Sequence, residues 1–173
     1  MTKPHFTKKQ RLVLSVLTFF FIGFFIHLFI FRAAIVDGHS MAPTINDQQT
    51  IIYNRLSYLF DSPHRGDVVV IKRDEETYIK RIIGLPTETL SYQNQQLYID
   101  EIPYRQTFIT NERSYWTHNI KPTYIPDHYY YVMGDNRRNS RDSRNSLGLI
   151  SKDNIIGRAE IIVYPFDEWQ VIY

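Results

Sequence analysis

Apolar residues follow two different patterns along this chain. From Leu12 to Phe31 there are twenty consecutive uncharged residues, LVLSVLTFFFIGFFIHLFIF, bounded by Arg11 and Arg32. At ~1.5 Å rise per residue, a helix of that length matches the ~30 Å hydrocarbon layer of a bilayer. A cleavable secretory signal is the other reading, because basic residues precede the run and Arg32-Ala33-Ala34 follows it. A signal's apolar region is usually only ~7 to 15 residues. This run is longer and bulkier, with seven Phe, so the expectation is an uncleaved membrane span. Ser15 and Thr18 can bond back to helix carbonyls, and His27 near the far end reads as a neutral interfacial side chain.

Beyond Arg32 the pattern shortens and alternates. Thr50–Tyr53, Asp67–Ile71, Thr77–Ile83, Gln96–Ile99, Tyr129–Met133 and Ala159–Tyr164 are rich in Val, Ile and Tyr, and Pro/Gly/Asp/Asn clusters separate them. Many short strands with little helical period predict a mostly β domain, barrel-like or sandwich-like, behind the single helix. From Pro86 to His128 the composition turns to Gln, Thr, Tyr and Pro, which reads as a β-ribbon or loop excursion. The predicted organisation is an arm over 1–11, a span over 12–31, a β core over 32–85 and 129–173, and the excursion over 86–128.

Charge adds an orientation. Residues 1–32 carry Lys3, Lys8, Lys9, Arg11 and Arg32 with no acid, a net charge of +5, while the remainder nets −3. Four of the basic residues precede the span and one follows it, so the N-terminus is expected in the cytoplasm and residues 33–173 outside it, in a single-pass protein. No basic face for nucleic acid is left. Cysteine is absent from the 173 residues, which excludes disulfides, Cys-ligated metal sites and a thiol nucleophile.

Three segments carry candidate chemistry. In Gly38-His39-Ser40-Met41-Ala42-Pro43-Thr44 a serine stands between a flexible Gly and a rigid Pro. It could be a plain turn hydroxyl, or a nucleophile if a base lies within reach. In Tyr78-Ile79-Lys80-Arg81-Ile82-Ile83-Gly84 strand alternation puts Tyr78, Lys80 and Ile82 on one face. Lys80 could be an ordinary snorkelling surface lysine. As a base at neutral pH it would need its pKa, ordinarily about 10.4, depressed by desolvation, which an apolar row supplies. The third segment, Gly134-Asp135-Asn136-Arg137-Arg138-Asn139-Ser140-Arg141-Asp142-Ser143-Arg144, could be a solvated loop, an anion site, or a set of Asp-Arg pairs packed on the core.

Ser40-Met41-x-Pro43-Thr44, Arg65-Gly66-Asp67-Val68-Val69-Val70, Lys80-Arg81-Ile82-Ile83-Gly84-Leu85-Pro86, and Gly134-Asp135-Asn136-Arg137 through Ser140, Asp142, Ser143 and Arg144 occur in that order behind one span. Together they closely resemble bacterial type I signal peptidase, in its small, single-span Gram-positive form. The resemblance covers nearly the whole chain. It implies a signal peptidase β fold with Ser40 as nucleophile, Lys80 as general base, Ser140 orienting the Lys80 amine, and Asp142 and Arg144 as a supporting pair. There are departures. Gly38 stands where some members carry a serine that helps the oxyanion hole, which leaves more of that work to the Ser40 N–H. Thr87-Glu88 stands where the family often has Gly-Asp, and His39 has no assigned role.

The implied function is that of a membrane-bound serine endopeptidase cutting signal peptides from exported preproteins at the outer membrane boundary. Its partners would be preproteins with Ala-x-Ala-like cleavage sites, read as extended strands, and the lipid bilayer, with no nucleic acid, metal or organic cofactor. A Ser/His/Asp hydrolase using His39, His64, His118 or His128 is a rival, although His39 adjoins Ser40 and neighbouring side chains on an extended segment point apart. A membrane-tethered binding domain with Tyr-rich strands is another. It leaves Ser40 and Lys80 unexplained.

Overall fold

The computed structural model describes residues 7–108 and 117–172. Lys3 of the basic flank, the side chain of His27 and part of the 86–128 excursion lie outside the described residues. Helix α1 runs from Lys8 to Ile30. It starts four residues ahead of the apolar run because Thr7 and Gln10 form a capping box: the Gln10 N–H donates to Thr7 Oγ1 at 3.3 Å, and the Thr7 N–H donates to Gln10 Oε1 at 2.9 Å. The apolar side chains of α1 lie in the open along its described length, from Leu12 to Phe29. Its length and composition suit a bilayer crossing.

Phe31, the last residue of the expected span, opens a strand instead. The strands are β1 (Phe31–Ile35), β2 (Thr50–Asn54), β3 (Val68–Arg73), β4 (Glu76–Gly84), β5 (Thr89–Gln93), β6 (Gln96–Ile99), β7 (Ile102–Tyr104), β8 (Ile120–Tyr124), β9 (Tyr129–Met133), β10 (Ile150–Ser151), β11 (Ile155–Tyr164) and β12 (Gln170–Val171). They form two antiparallel sheets. The larger has the order β1-β2-β11-β3-β4-β9-β10, with β12 also on β11, and the smaller β7-β6-β5-β8. The mostly β expectation holds, and the larger sheet stays open, with β1 and β10 as its ends.

The smaller sheet rests on two tight hairpins. Asn94-Gln95 joins β5 to β6 and Asp100-Glu101 joins β6 to β7, with all four residues at positive φ. Positive φ at both central positions gives a turn whose twist matches the strands, and Asn and Asp tolerate it. Each turn lacks the Gly that usually signals it, which is why the 86–128 segment reads as weak strand.

Alternation along β4 sorts the core. Val69, Ile71 and Ile82 pack on one face of the larger sheet, with Tyr78 and Ile155 against them. Val68 and Val70 pack on the other with Val36, Met41 and Ile45. Lys80 is paired with Val69 across β3 and β4 and so belongs to the first row. The third cluster joins the two sheets: Ile83 and Met133 meet Leu90, Tyr92, Leu97 and Ile125.

Candidate active site

Ser40 sits in the turn that comes after β1. Buried Val36 precedes it, and Met41 and Ile45 lead from it into the core, so the turn is pinned on both sides. The Ile45 N–H donates to the Met41 carbonyl at 3.1 Å and the Ala42 N–H to the His39 carbonyl at 3.2 Å. Gly38 takes φ +99°, a backbone region that L side chains rarely adopt, and its N–H donates to Asp47 Oδ1 at 2.7 Å. Among the described residues the Ser40 N–H has no acceptor, which leaves it available to a developing oxyanion.

Lys80 comes to Ser40 from the sheet. Its Nζ lies 2.8 Å from Ser40 Oγ and 2.8 Å from the Ile79 carbonyl. The side chain is 3% exposed. Burial lowers its pKa from 10.5 to about 8, with Asp142 and Asp135 pulling weakly the other way. The Tyr78 ring, 5.8 Å from Nζ, forms part of the apolar surround.

The third segment folds into a network behind this pair. Asp142 is fully buried and accepts two bonds from the Arg144 guanidinium, at 2.9 and 2.7 Å, and one from the Gly134 N–H at 3.0 Å. Burial works to raise the Asp142 pKa, but the Arg144 hydrogen bonds and charge outweigh it. The carboxyl is held below its ordinary value.

Ser140 is placed differently from the expectation. Its Oγ is buried and among the described residues makes no hydrogen bond of ordinary geometry, and the Ile79 carbonyl, not Ser140, is the second partner of the Lys80 amine. The hydroxyl dipole is close enough to Asp142 to help lower its pKa. Gly134 explains the packing. A Cβ there would stand 2.3 Å from both Ser140 Oγ and the Ser40 carbonyl oxygen, so only glycine lets the loop close onto the Ser40 turn.

Four further residues hold the site, and the sequence motifs contain them without giving them a role. Arg81, fully buried, donates through Nε and Nη2 to Asp135 at 2.9 and 2.7 Å, and through Nη1 to the Gly66 carbonyl at 2.6 Å. Thr44 Oγ1 donates to the same Asp135 at 2.6 Å. The network therefore ties the Ser40 turn to the strand that carries Lys80. Asn136 adds two bonds to that turn, from its N–H to the Ser40 carbonyl at 3.1 Å and from Nδ2 to the His39 carbonyl at 3.0 Å. The signal available in the sequence is an Arg directly after a candidate base, with one unassigned Asp in a later motif.

A groove of about 570 Å³ opens over the pair, bounded by Ala34–Asp37 on one side and Glu76–Lys80 on the other, with Tyr53 and Val70 at its floor. Both boundaries are strand edges. β1 ends the sheet, and β9 pairs with β4 only from Arg81 onward, so among the described residues Glu76–Lys80 has no strand neighbour on that side. Among the described histidines, His39 and His118 are exposed, and His64 and His128 lie on the surface, 3.8 Å from Asp61 and 3.2 Å from Asp127. Among the described residues no cluster of three or more His, Cys, Asp or Glu side chains could hold a metal ion.

Residues 9–164 match the family described as signal peptidase, peptidase S26. The chain is 39% identical over 155 residues to signal peptidase I S of Bacillus subtilis (strain 168), covering 85% of this chain and 84% of that one. It is 40% identical over 147 residues to signal peptidase I of Bacillus amyloliquefaciens, covering 81% and 80%. It is also 36% identical over 168 residues to signal peptidase I U of Bacillus subtilis (strain 168), covering 92% and 90%.

Proposed function

The chain belongs to the peptidase S26 family of signal peptidases, and we propose that in it Ser40 is the nucleophile and Lys80 the general base. The protein is a serine endopeptidase that removes signal peptides from secretory preproteins. The observation that supports the residue assignment is the 2.8 Å approach of Lys80 Nζ to Ser40 Oγ under an open groove.

A neutral Lys80 amine takes the Ser40 proton as Oγ adds to the scissile carbonyl. The developing oxyanion is met by the Ser40 N–H. Lys80 passes the proton to the leaving amine, which frees the mature chain and leaves an acyl ester on Ser40. Water then attacks the ester, Lys80 accepts its proton, and collapse returns that proton to Ser40 Oγ while the signal peptide leaves as a carboxylic acid. Asp142 with Arg144, and Arg81 with Asp135, keep the amine and hydroxyl in register. Ser140 acts as a positioning residue through the Gly134 contact.

An extended substrate lying between the Ala34–Asp37 and Glu76–Lys80 edges would bond as an added strand, with small Ala-x-Ala-like side chains turned to the walls made by Met41, Tyr78 and Ile79. The helix spans the bilayer with the 1–11 arm in the cytoplasm. The 32–85 and 129–173 core and the 86–128 excursion stand outside, where signal peptides emerge. Incubating the detergent-solubilised protein with a model preprotein and mapping the cut tests this reading. Lys80→Arg keeps the charge but cannot shed a proton, so it should cleave ~10²- to 10⁴-fold more slowly. A Lys80→Arg enzyme of near-native rate would reduce Lys80 to a structural residue.

A further inference from the structure

Of the arginines that the loop after β9 and its neighbours bury, one lacks a counter-charge. Arg81 is bonded to Asp135 and Arg144 to Asp142. Arg137, equally buried, donates from Nε to the Gly134 carbonyl at 3.0 Å and from Nη2 to Gln106 Oε1 at 2.8 Å, both neutral acceptors. Its Nη1 is buried and, among the described residues, has no hydrogen-bond partner. Burial pulls the Arg137 pKa from 12.5 down to about 10, and the charge of Asp135, already bonded to Arg81, does not restore it. The guanidinium stays protonated at neutral pH all the same, and a buried charge without a counter-charge is costly. This arginine is short of an anion.

The space beside it fits one. Arg137 lines a cavity of about 640 Å³ with Arg138, Arg144, Thr117, Ser140 and Asn145, and among the described lining residues there is no Asp or Glu. That volume lies within the ~300 to 1,000 Å³ of small-molecule sites. None of its lining residues belongs to the groove over Ser40. The walls are held by bonds of their own: Arg144 Nη1 donates to Thr117 Oγ1 at 2.9 Å, and Asn145 Nδ2 donates to the Ser140 carbonyl at 2.9 Å. Among the described residues two buried side-chain polar atoms lack a partner, Arg137 Nη1 and Ser140 Oγ, and both belong to residues of this cavity. Arg138, exposed, adds a third guanidinium to the lining.

Guanidinium forks match phosphate oxygens in pairs, and a phosphoryl group offers more acceptor oxygens than a carboxylate does. We propose that this cavity is a phosphate site, in which Arg137 and Arg138 bond a phosphoryl group, either free or carried on a small organic residue. The bound group supplies the counter-charge that Arg137 lacks. It also braces the loop that brings Asp142 and Arg144 behind Lys80, because Arg137 is tied to the Gly134 carbonyl at the start of that loop. The inference does not depend on the roles given to Ser40 and Lys80, and its test reads binding rather than cleavage.

Full-length, detergent-solubilised protein would be titrated calorimetrically with inorganic phosphate, glycerol 3-phosphate and acetate, at one ionic strength held with chloride. The expected result is saturable binding of one phosphate per chain, with acetate several-fold weaker. Glycerol 3-phosphate tighter than inorganic phosphate assigns the cavity to a phosphomonoester, and equal affinity assigns it to free phosphate; either upholds the site. Arg138→Gln, a change in the open, should weaken phosphate ~10-fold or more, the scale of one charge-assisted hydrogen bond. Arg105→Gln, at an exposed arginine outside the cavity lining, should leave the affinity unchanged. Arg137→Gln should abolish binding, and if that protein does not fold, the Arg138 and Arg105 variants decide the matter. Absence of saturable phosphate binding, acetate as tight as phosphate, or equal weakening by Arg138→Gln and Arg105→Gln overturns the inference.

Discussion

The corner around Ser40 and Lys80 and the four-stranded sheet are built on opposite principles. Around Ser40 the protein buries Lys80, Arg81, Asp135, Arg137 and Asp142, each 3% exposed or less. Where the β5–β8 sheet packs on the larger one, the buried cluster is Ile83, Leu90, Tyr92, Leu97, Ile99, Ile125, Tyr131 and Met133, without a charge. Desolvating charge is expensive unless each is paired, whereas burying apolar area is favourable. Arg81 with Asp135 and Arg144 with Asp142 are paired. Among the described residues Lys80 has no carboxylate bonded to it, only Ser40 Oγ and a carbonyl. That leaves the corner with one amine whose pKa burial lowers to about 8, while the smaller sheet buries apolar side chains.

The strongest way to break this contrast is at Ser40. Ser40→Ala removes a hydroxyl from a half-buried turn and should leave the thermal midpoint nearly unchanged while preprotein cleavage falls ~10⁴- to 10⁶-fold, the scale of losing a serine nucleophile. Residual cleavage near the wild-type rate would take the nucleophile out of this corner.

Leu90→Ala probes the other side. Emptying a fully buried leucine should cost ~2 to 5 kcal/mol of stability in a denaturant titration. At a temperature where the variant is folded, its cleavage rate and pH dependence should match wild type. A shifted pH profile would show that the two regions are not separable.

The pH dependence sharpens the corner's side. With Lys80 near 8 in the folded protein and 10.5 in the unfolded chain, only the unfolded chain holds the proton between those values. Stability from this group therefore rises with pH across that window and is lost below about 8. Cleavage should rise with pH through a midpoint near 8, as the amine becomes neutral. A kcat/KM profile flat from pH 6 to 10 would contradict a titrating amine base.

Two smaller effects complete the series. Ser140→Ala should lower the rate several-fold without moving the pH midpoint, because its Oγ touches neither Lys80 nor Ser40 Oγ by a hydrogen bond. Thr87, at the turn leading into the smaller sheet, has φ +68°, a region costly for a β-branched side chain. Thr87→Gly should raise stability by up to about 1 kcal/mol with no change in rate, since relief of ~1 to 2 kcal/mol of left-handed strain is partly offset by glycine's entropy. A destabilised Thr87→Gly protein would mean that the Thr87 side chain makes a compensating contact.

The sequence alone determined the apolar helix, the mostly β character of the chain beyond Arg32, and the strands Gln96–Ile99 and Tyr129–Met133 to the residue. It also determined the face of β4 on which Lys80 lies, because alternation and composition are local properties of the chain. Only the tertiary structure decided that Ser40 and Lys80 meet, since the 39 residues between them must fold before a 2.8 Å contact exists. The fold likewise made Ile79 rather than Ser140 the second partner of the amine, and bound Thr44, Arg81 and Asp135 into one network. It also made Gly134 indispensable for room rather than for backbone freedom. These depend on distances between elements remote in sequence. No periodicity encodes them, because they arise only when the sheet brings the Ser40 turn, β4 and the loop after β9 to one corner.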